Sequence, residues 1–311
     1  MSEENELYEV PEGHKSGFVA IVGRPNAGKS TLLNNLMQQK IAIVTPRPQT
    51  TRINQLGIIT EPTYQMVFVD TPGIIQEPRH KLDEFMVDTA VNTLRDADVV
   101  LWLVDVSERP YDDSRAIAAQ LAGLPDEVTV ILGMNKIDLL KPEQVIPHTE
   151  AYRELLPEAP WIAFSALQGD GVAELLDMLV QALPEGPRYY PPDQITETFT
   201  RDIVAELIRE QIFLQLREEV PYGVAVKVEE FKERPNDVIY INATIFVERD
   251  SHKQIVIGRK GTQLRQIGAA ARQEIEAFLE TKVYLDLWIK VEAQWRRNEQ
   301  ALRRFGYSSQ S

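Results

Sequence analysis

Cysteine is absent from all 311 residues, which excludes disulfide staples and thiolate metal sites and fits a reducing compartment. No run of about 18 apolar residues is present to span a bilayer. The opening MSEENELYEV is acidic where an export signal would be basic and then apolar, so a cytoplasmic protein is expected. Basic side chains are the scarcer charge: 33 Lys and Arg face 47 Asp and Glu, for a net charge of −14. That balance, taken alone, argues against a polyanionic partner. No internal repeat or low-complexity tract is apparent.

The shortage of bases is uneven along the chain. From Ser251 to Ser311 eleven basic side chains stand against six acidic ones, a local +5 inside a chain of −14. An acidic body with a basic end is the asymmetry expected of a polyanion-binding surface. With 43% hydrophobic residues the chain can bury a sizeable core, and its length favours about two domains.

A break in composition divides it. Leu183–Gln194, LPEGPRYYPPDQ, holds four prolines and a glycine, and Pro191-Pro192 cannot continue a helix. The expected organisation is an acidic, disordered extension over 1–14, a first domain over 15–182, a proline-rich linker over 183–195 and a second domain over 196–311. In the first domain, apolar runs at 18–22, 41–44, 66–70, 99–105, 128–135 and 161–166 alternate with amphipathic stretches such as STLLNNLMQQ and GVAELLDMLVQAL. This pattern predicts a doubly wound, mostly parallel sheet covered by helices on both faces.

GRPNAGKS, residues 23 to 30, follows the run FVAIV and opens a helical stretch, the strand-loop-helix context in which G-x-x-x-x-G-K-[ST] holds phosphates. Gly23, Arg24, Pro25, Asn26, Ala27 and Gly28 would form the loop around the phosphates, its two glycines permitting conformations that aim successive backbone N–H groups at phosphate oxygens at a helix N-terminus, beside Thr31. Lys29 would reach the β- and γ-phosphates, and the Ser30 hydroxyl would ligate Mg²⁺. Asp70-Thr71-Pro72-Gly73 ends the next apolar run; Asp70 would hold Mg²⁺ through water and the Gly73 N–H would meet the γ-phosphate. Thr50-Thr51 lies in a polar loop, and one of the two should bind Mg²⁺, Thr51 being favoured with Thr50 close behind. Asn135, Lys136 and Asp138 of NKID follow another apolar run. Asp138 could accept two hydrogen bonds from guanine that adenine cannot offer. Ser165, Ala166 and Leu167 would bring a backbone N–H to the guanine carbonyl.

With GRPNAGKS, TT, DTPG, NKID and SAL in that order, residues up to about 185 resemble a translation-factor-related GTPase domain. The resemblance implies GTP or GDP with Mg²⁺ as cofactors and hydrolysis involving Lys29, Thr51, Gly73 and Asn26. Asn26 resembles the P-loop asparagine that helps some of these enzymes bind an activating K⁺. Ile74 stands where a water-orienting glutamine would be and Gln76 lies two residues on, so a slow intrinsic rate is expected.

Past the linker come an amphipathic helix, two alternating strand candidates, a helical region broken at Gly258-Arg259-Lys260-Gly261, and a last strand candidate, KVYLDLWIKV. A G-x-x-G turn with bases inside it, between two helices, lets a nucleic-acid backbone approach, which is the signature of a KH domain. Lys253 and Arg265 would add phosphate contacts.

The whole chain thus resembles the Era family of bacterial GTPases (the TrmE-Era-EngA-like group): a P-loop α/β domain followed by a smaller α+β KH domain of type II. That resemblance implies a monomer that binds the 3′ end of 16S ribosomal RNA and serves 30S subunit maturation, with peripheral association at the cytoplasmic face of the cell membrane. Two other readings compete: a membrane-associated signalling GTPase whose second domain binds protein or lipid, and an RNA-binding scaffold with a structural nucleotide.

Overall fold

A computed structural model describes residues 10–48, 50–73, 78, 80–235 and 237–307. The chain forms two compact units, one of residues 1–41, 51–78 and 86–197, the other of 42–50, 79–85 and 198–311.

The first unit is built on a six-stranded sheet in the order β2-β3-β1-β4-β5-β6. Its strands are β1 (Lys15–Val22), β2 (Gln55–Glu61), β3 (Tyr64–Asp70), β4 (Val99–Asp105), β5 (Thr129–Asn135) and β6 (Trp161–Ala163). All neighbours pair in parallel except β2, which runs antiparallel to β3. VVLWLVD of β4 is buried on both faces, which is why the central strands read as unbroken apolar runs. Helices α1 (Lys29–Met37), α2 (Lys81–Asp96), α3 (Asp112–Leu121), α4 (Pro142–Arg153) and α5 (Val172–Ala182) accompany the sheet, and Ile117, Ala118 and Leu121 join Trp102 and Leu132 in one core cluster. Residues 183–197 belong to this unit: Gln65 Oε1 accepts from the Tyr189 and Tyr190 amides, and the Ile58 amide donates to Ile195.

One expectation is corrected, and two elements have no counterpart in the sequence pattern. IAIV, residues 41–44, is not a strand. The Ile41 and Val44 amides donate to the side chains of Asn34 and Glu210 instead of to a ladder, and the prolines at 46 and 48 bar pairing beyond. The place of IAIV in the sheet is taken by β2, QLGIITE, whose alternation is interrupted by Gly57. Helix α4, with Pro142 in its first turn and Pro147 inside, has no clear counterpart in the sequence pattern.

The second unit follows the order helix-strand-strand-helix-helix-strand: α6 (Thr200–Gln215), β7 (Ala225–Arg234), β8 (Val238–Val247), α7 (Asp250–Ile257), α8 (Thr262–Leu279) and β9 (Lys282–Val291), with a short α9 (Glu299–Arg304) after them. β7 and β8 are antiparallel, with a register shift between Val228 and Glu230, whereas β8 and β9 are parallel. Ile241, Ala243, Ile245 and Val283 join Ile208 and Ile212 of α6 and Ile267, Ala271 and Ile275 of α8 in one core. The segments 42–50 and 79–85 also pack in this unit. Arg209 of α6, fully buried, donates to the Thr50 carbonyl and to Glu206, and Lys81 pairs with Glu299.

Candidate functional site

The nucleotide motifs meet at the carboxyl ends of β1, β3, β5 and β6, where open α/β sheets bind ligands. β1 runs into the loop 23–28, and α1 starts at Lys29. Gly28 occupies φ 100°, and a Cβ there would lie 2.2 Å from Asn135 Nδ2. Both the backbone and the close approach therefore demand glycine. Lys29 is buried, and its Nζ donates to the Gly23 and Arg24 carbonyls at 3.1 Å each. Burial pulls the Lys29 pKa down while the Asp70 charge pushes it back up. The Arg24 side chain turns to Tyr111, with its guanidinium 4.5 Å from the ring centroid, and to Asp113 at 3.5 Å, so Arg24 serves the loop through its backbone. Asn26 sits exposed at φ 65°. Pro25 packs under Gly73, where a Cβ would come within 2.8 Å of it.

Ser30, Thr51 and Asp70 converge. The Ser30 hydroxyl donates to Asp70 Oδ2 at 2.6 Å and lies 3.0 Å from the Thr51 hydroxyl. The other Asp70 oxygen, Oδ1, is buried with no hydrogen-bond partner. Burial raises the Asp70 pKa to about 6, against the opposing pull of Lys29 and the Ser30 hydrogen bond. An orphaned carboxylate oxygen beside two hydroxyls fits a hard divalent cation that keeps most of its waters. Among the described residues no cluster of three His, Cys, Asp or Glu exists, so the hydroxyl-rich set is what remains for such an ion. Of the two threonines, Thr51 lies at this cluster, whereas the Thr50 carbonyl is held by Arg209. Thr71 is fully buried, with its hydroxyl on the Ile21 carbonyl; Pro72 and Gly73 are buried beside it.

Asn135 ties three motifs together. Its Nδ2 donates to the Ala27 carbonyl and its Oδ1 accepts from the Ala166 amide, both at 2.8 Å. Lys136 stands at φ 68° and its ammonium pairs with Asp105. Asp138 is exposed in a short turn. Buried Ser165 accepts from the Gln168 amide and Leu167 is exposed. Sequence reasoning missed two supports here: Asp105, whose signal was its place at the end of β4, and Asn35, which donates to the Ala166 carbonyl at 3.2 Å. Ile74 and Gln76 lie outside the described residues.

In the second unit, Gly258, Lys260 and Gly261 all have positive φ, at 70°, 54° and 75°, and the turn they form joins α7 to α8 with Arg259 and Lys260 exposed. Arg265, one turn into α8, donates to the Lys260 carbonyl at 3.1 Å and the Gly261 carbonyl at 3.3 Å. It thereby braces the turn that presents the two bases. Lys253 lies half-buried on α7.

Comparison with known proteins agrees with this architecture. A family described as "50S ribosome-binding GTPase" matches residues 18–136, and "KH domain" matches residues 219–296. GTPase Era of Halothermothrix orenii is 49% identical over 94% of this chain and 99% of its own length. GTPase Era of Clostridium botulinum is 47% identical over 94% and 98%. Two solved structures share 39% identity and cover 95% of this chain and 100% of theirs: a point variant of Aquifex aeolicus Era bound to GDP·AlF4⁻, at a TM-score of 0.89, and Era with MgGDPNP and nucleotides 1506–1542 of 16S ribosomal RNA, at 0.90. With a P-loop domain and a KH domain in one chain, and near-full-length identity far above 30% to these relatives, the chain belongs to the Era family of GTPases.

Proposed function

We infer that this GTPase is a switch on ribosomal RNA, holding GTP or GDP with Mg²⁺ in its first unit and the 3′ end of 16S ribosomal RNA on the GRKG turn of its second, in the service of 30S subunit maturation. The observation that carries the RNA assignment is the turn: three residues at positive φ hold Arg259 and Lys260 out at a helix junction, a shape that lets a phosphate backbone approach closely. The RNA-bound Era relative supports it.

Ser30, Thr51 and Asp70 would hold Mg²⁺, which supplies charge neutralisation at the phosphoryl group. Lys29 would exchange its two carbonyl partners for phosphate oxygens, the Gly73 N–H would contact the γ-phosphate, and Asp138 would select guanine. Asn26, exposed at the loop's apex, is the K⁺ contact in this reading. The chain passes from the second unit to the first at the Thr50–Thr51 peptide, with Arg209 on the Thr50 carbonyl and Ser30 at the Thr51 hydroxyl. The nucleotide state would therefore be felt by α6. Peripheral membrane association rests on the family resemblance, to which the basic C-terminal end would contribute; among the described residues no helix is long and apolar enough to cross a membrane.

The test is a titration of a short RNA matching the 3′ end of 16S ribosomal RNA, with GDP or a non-hydrolysable GTP analogue present, at fixed salt. Tighter binding with the analogue is expected, and Arg259→Glu with Lys260→Glu should weaken RNA binding sharply and remove its dependence on the nucleotide while GTP turnover persists. Absence of binding in both states would remove the RNA assignment and leave the GTPase.

A further inference from the structure

The three-stranded sheet of the second unit buries one face under α6 and α8. Its other face is built from alternate residues: Glu230, Lys232 and Arg234 of β7, Tyr240 and Asn242 of β8, and Tyr284, Asp286, Trp288 and Lys290 of β9, with Tyr240 opposite both Lys232 and Tyr284 and Asn242 opposite both Glu230 and Asp286 in the register. At one end Phe246 is covered by Phe305, the ring centroids 4.7 Å apart. Beyond that end the face is open, and Tyr284 and Trp288 are each 58% exposed.

The open part is ordered. Tyr240 and Tyr284 stack with centroids 5.9 Å apart at 26°, and the Arg234 guanidinium lies 4.0 Å from the Tyr240 centroid and 5.7 Å from that of Tyr284. The Trp288 indole N–H donates to Asp286 Oδ2 at 3.0 Å, and Asn242 donates to the same oxygen at 3.2 Å. The indole is thus pinned and its N–H consumed, and what it still offers is a ring face. Four residues along a strand separate Tyr284 from Trp288 by about 13 Å, enough for separate bases. Lys232, Arg234 and Lys290 flank the rings. Lys232 is shared with Glu230 at 3.2 Å, and the one carboxylate between the rings, Asp286, is already occupied. Pinned aromatic faces ringed by cations, in a chain whose net charge is −14, match the chemistry that binds single-stranded nucleic acid: bases stack and phosphates meet the cations on the rim.

The geometry points to this open sheet face, centred on Tyr284 and Trp288, as a second RNA-binding surface that takes unpaired nucleotides by stacking without reading their sequence. It is separate from the GRKG turn, which joins α7 and α8, and it rests on the RNA-binding reading above. RNA that leaves the turn would find there a platform that lengthens the footprint.

The experiment uses the full chain carrying Arg259→Glu with Lys260→Glu, so that the turn is disabled, and an unstructured oligocytidine RNA of about 20 nucleotides, longer than one such platform needs. Binding is read by fluorescence anisotropy of a labelled RNA and by crosslinking mapped to residue. Residual binding with crosslinks at Tyr284 or Trp288 is expected. Adding Tyr284→Leu with Trp288→Leu should weaken it at least about fivefold, the lower end for loss of one stacked base. In the unmutated chain, replacing Lys232, Arg234 and Lys290 by Gln should flatten the slope of log affinity against log salt by about 2, given about 0.7 per phosphate contact on single strands. Thermal melting checks that the leucine variants fold. If the leucine pair leaves RNA affinity unchanged while the turn variant removes all of it, the platform assignment is overturned and the turn stands. If the pair instead loses only a ribosomal protein partner, the face is a protein-docking site and the inference fails. If the unmutated chain binds no RNA at all, this inference and the RNA assignment at the turn fall together.

Discussion

Asp70 has a titration that exposes its role. Its carboxyl is fully buried, and burial lifts the pKa from 3.8 to about 6. An acid whose pKa is higher in the folded chain binds its proton more tightly there. Nucleotide-free stability should therefore fall as pH rises through the window from 4 to 6, and the ionised group then costs the fold up to about 3 kcal/mol at neutral pH, at about 1.4 kcal/mol per pH unit. Asp70→Asn keeps the shape and the Ser30 contact without the charge. Calorimetry of the nucleotide-free protein should show the variant more stable by about 1–3 kcal/mol at pH 7.5 and insensitive in that window, while its Mg²⁺-dependent GTP turnover falls by orders of magnitude. A variant less stable than the parent at pH 7.5 would mean that the buried carboxylate is already compensated. Asn26 gives a second residue-level prediction. Turnover should rise when Na⁺ is replaced by K⁺ at constant ionic strength, and Asn26→Ala should erase the difference; equal rates in the two salts for the parent would end the K⁺ assignment.

The turn between α7 and α8 depends on the difference between its two glycines. At Gly258, φ is 70° and a Cβ would lie 2.6 Å from Gln263 Cβ and 2.9 Å from the Gln263 amide nitrogen, atoms that cannot swing aside. At Gly261, φ is 75° but nothing lies within 4 Å, so alanine there meets only backbone strain of about 1 kcal/mol. Gly258→Ala should therefore reduce RNA affinity at least about tenfold with GTP turnover intact, and Gly261→Ala should change it little. Equal losses in the two variants would contradict the geometry. This turn was legible in the sequence, as were GRPNAGKS, DTPG and NKID, because each motif is local and its spacing sets which backbone groups face a ligand. What was not legible depends on distant partners. IAIV read as a strand because an apolar run has no period of its own, and only Asn34 and Glu210 on its amides show why it joins no sheet ladder. β2 was hidden by Gly57 within its alternation, and α4 by the proline inside it. The stacked pair of Tyr240 and Tyr284 joins residues from two strands that are neighbours only once β8 and β9 align in parallel.

For the molecule as a whole, two compact units share one chain in which residues 42–50 and 79–85 pack with the second while their flanks belong to the first. Thr51 meets Ser30 and Asp70 at the nucleotide site, and its neighbour Thr50 is moored to Arg209, itself fully buried and paired with Glu206. Anything that repositions Thr51 pulls on that mooring, so nucleotide and RNA should be thermodynamically linked. Linkage requires reciprocity: if a GTP analogue tightens RNA binding by some factor relative to GDP, RNA must tighten analogue over GDP by the same factor, in the range of about 5 to 150 for ordinary allosteric coupling. Four titrations close the cycle. Arg209→Lys keeps the buried positive charge opposite Glu206 but loses the planar fork that also reaches the Thr50 carbonyl, so it should shrink the factor toward one with both single-ligand affinities largely retained. A parent whose RNA affinity is the same in GDP and in analogue has no coupling to lose, and the chain would then bind its two ligands independently.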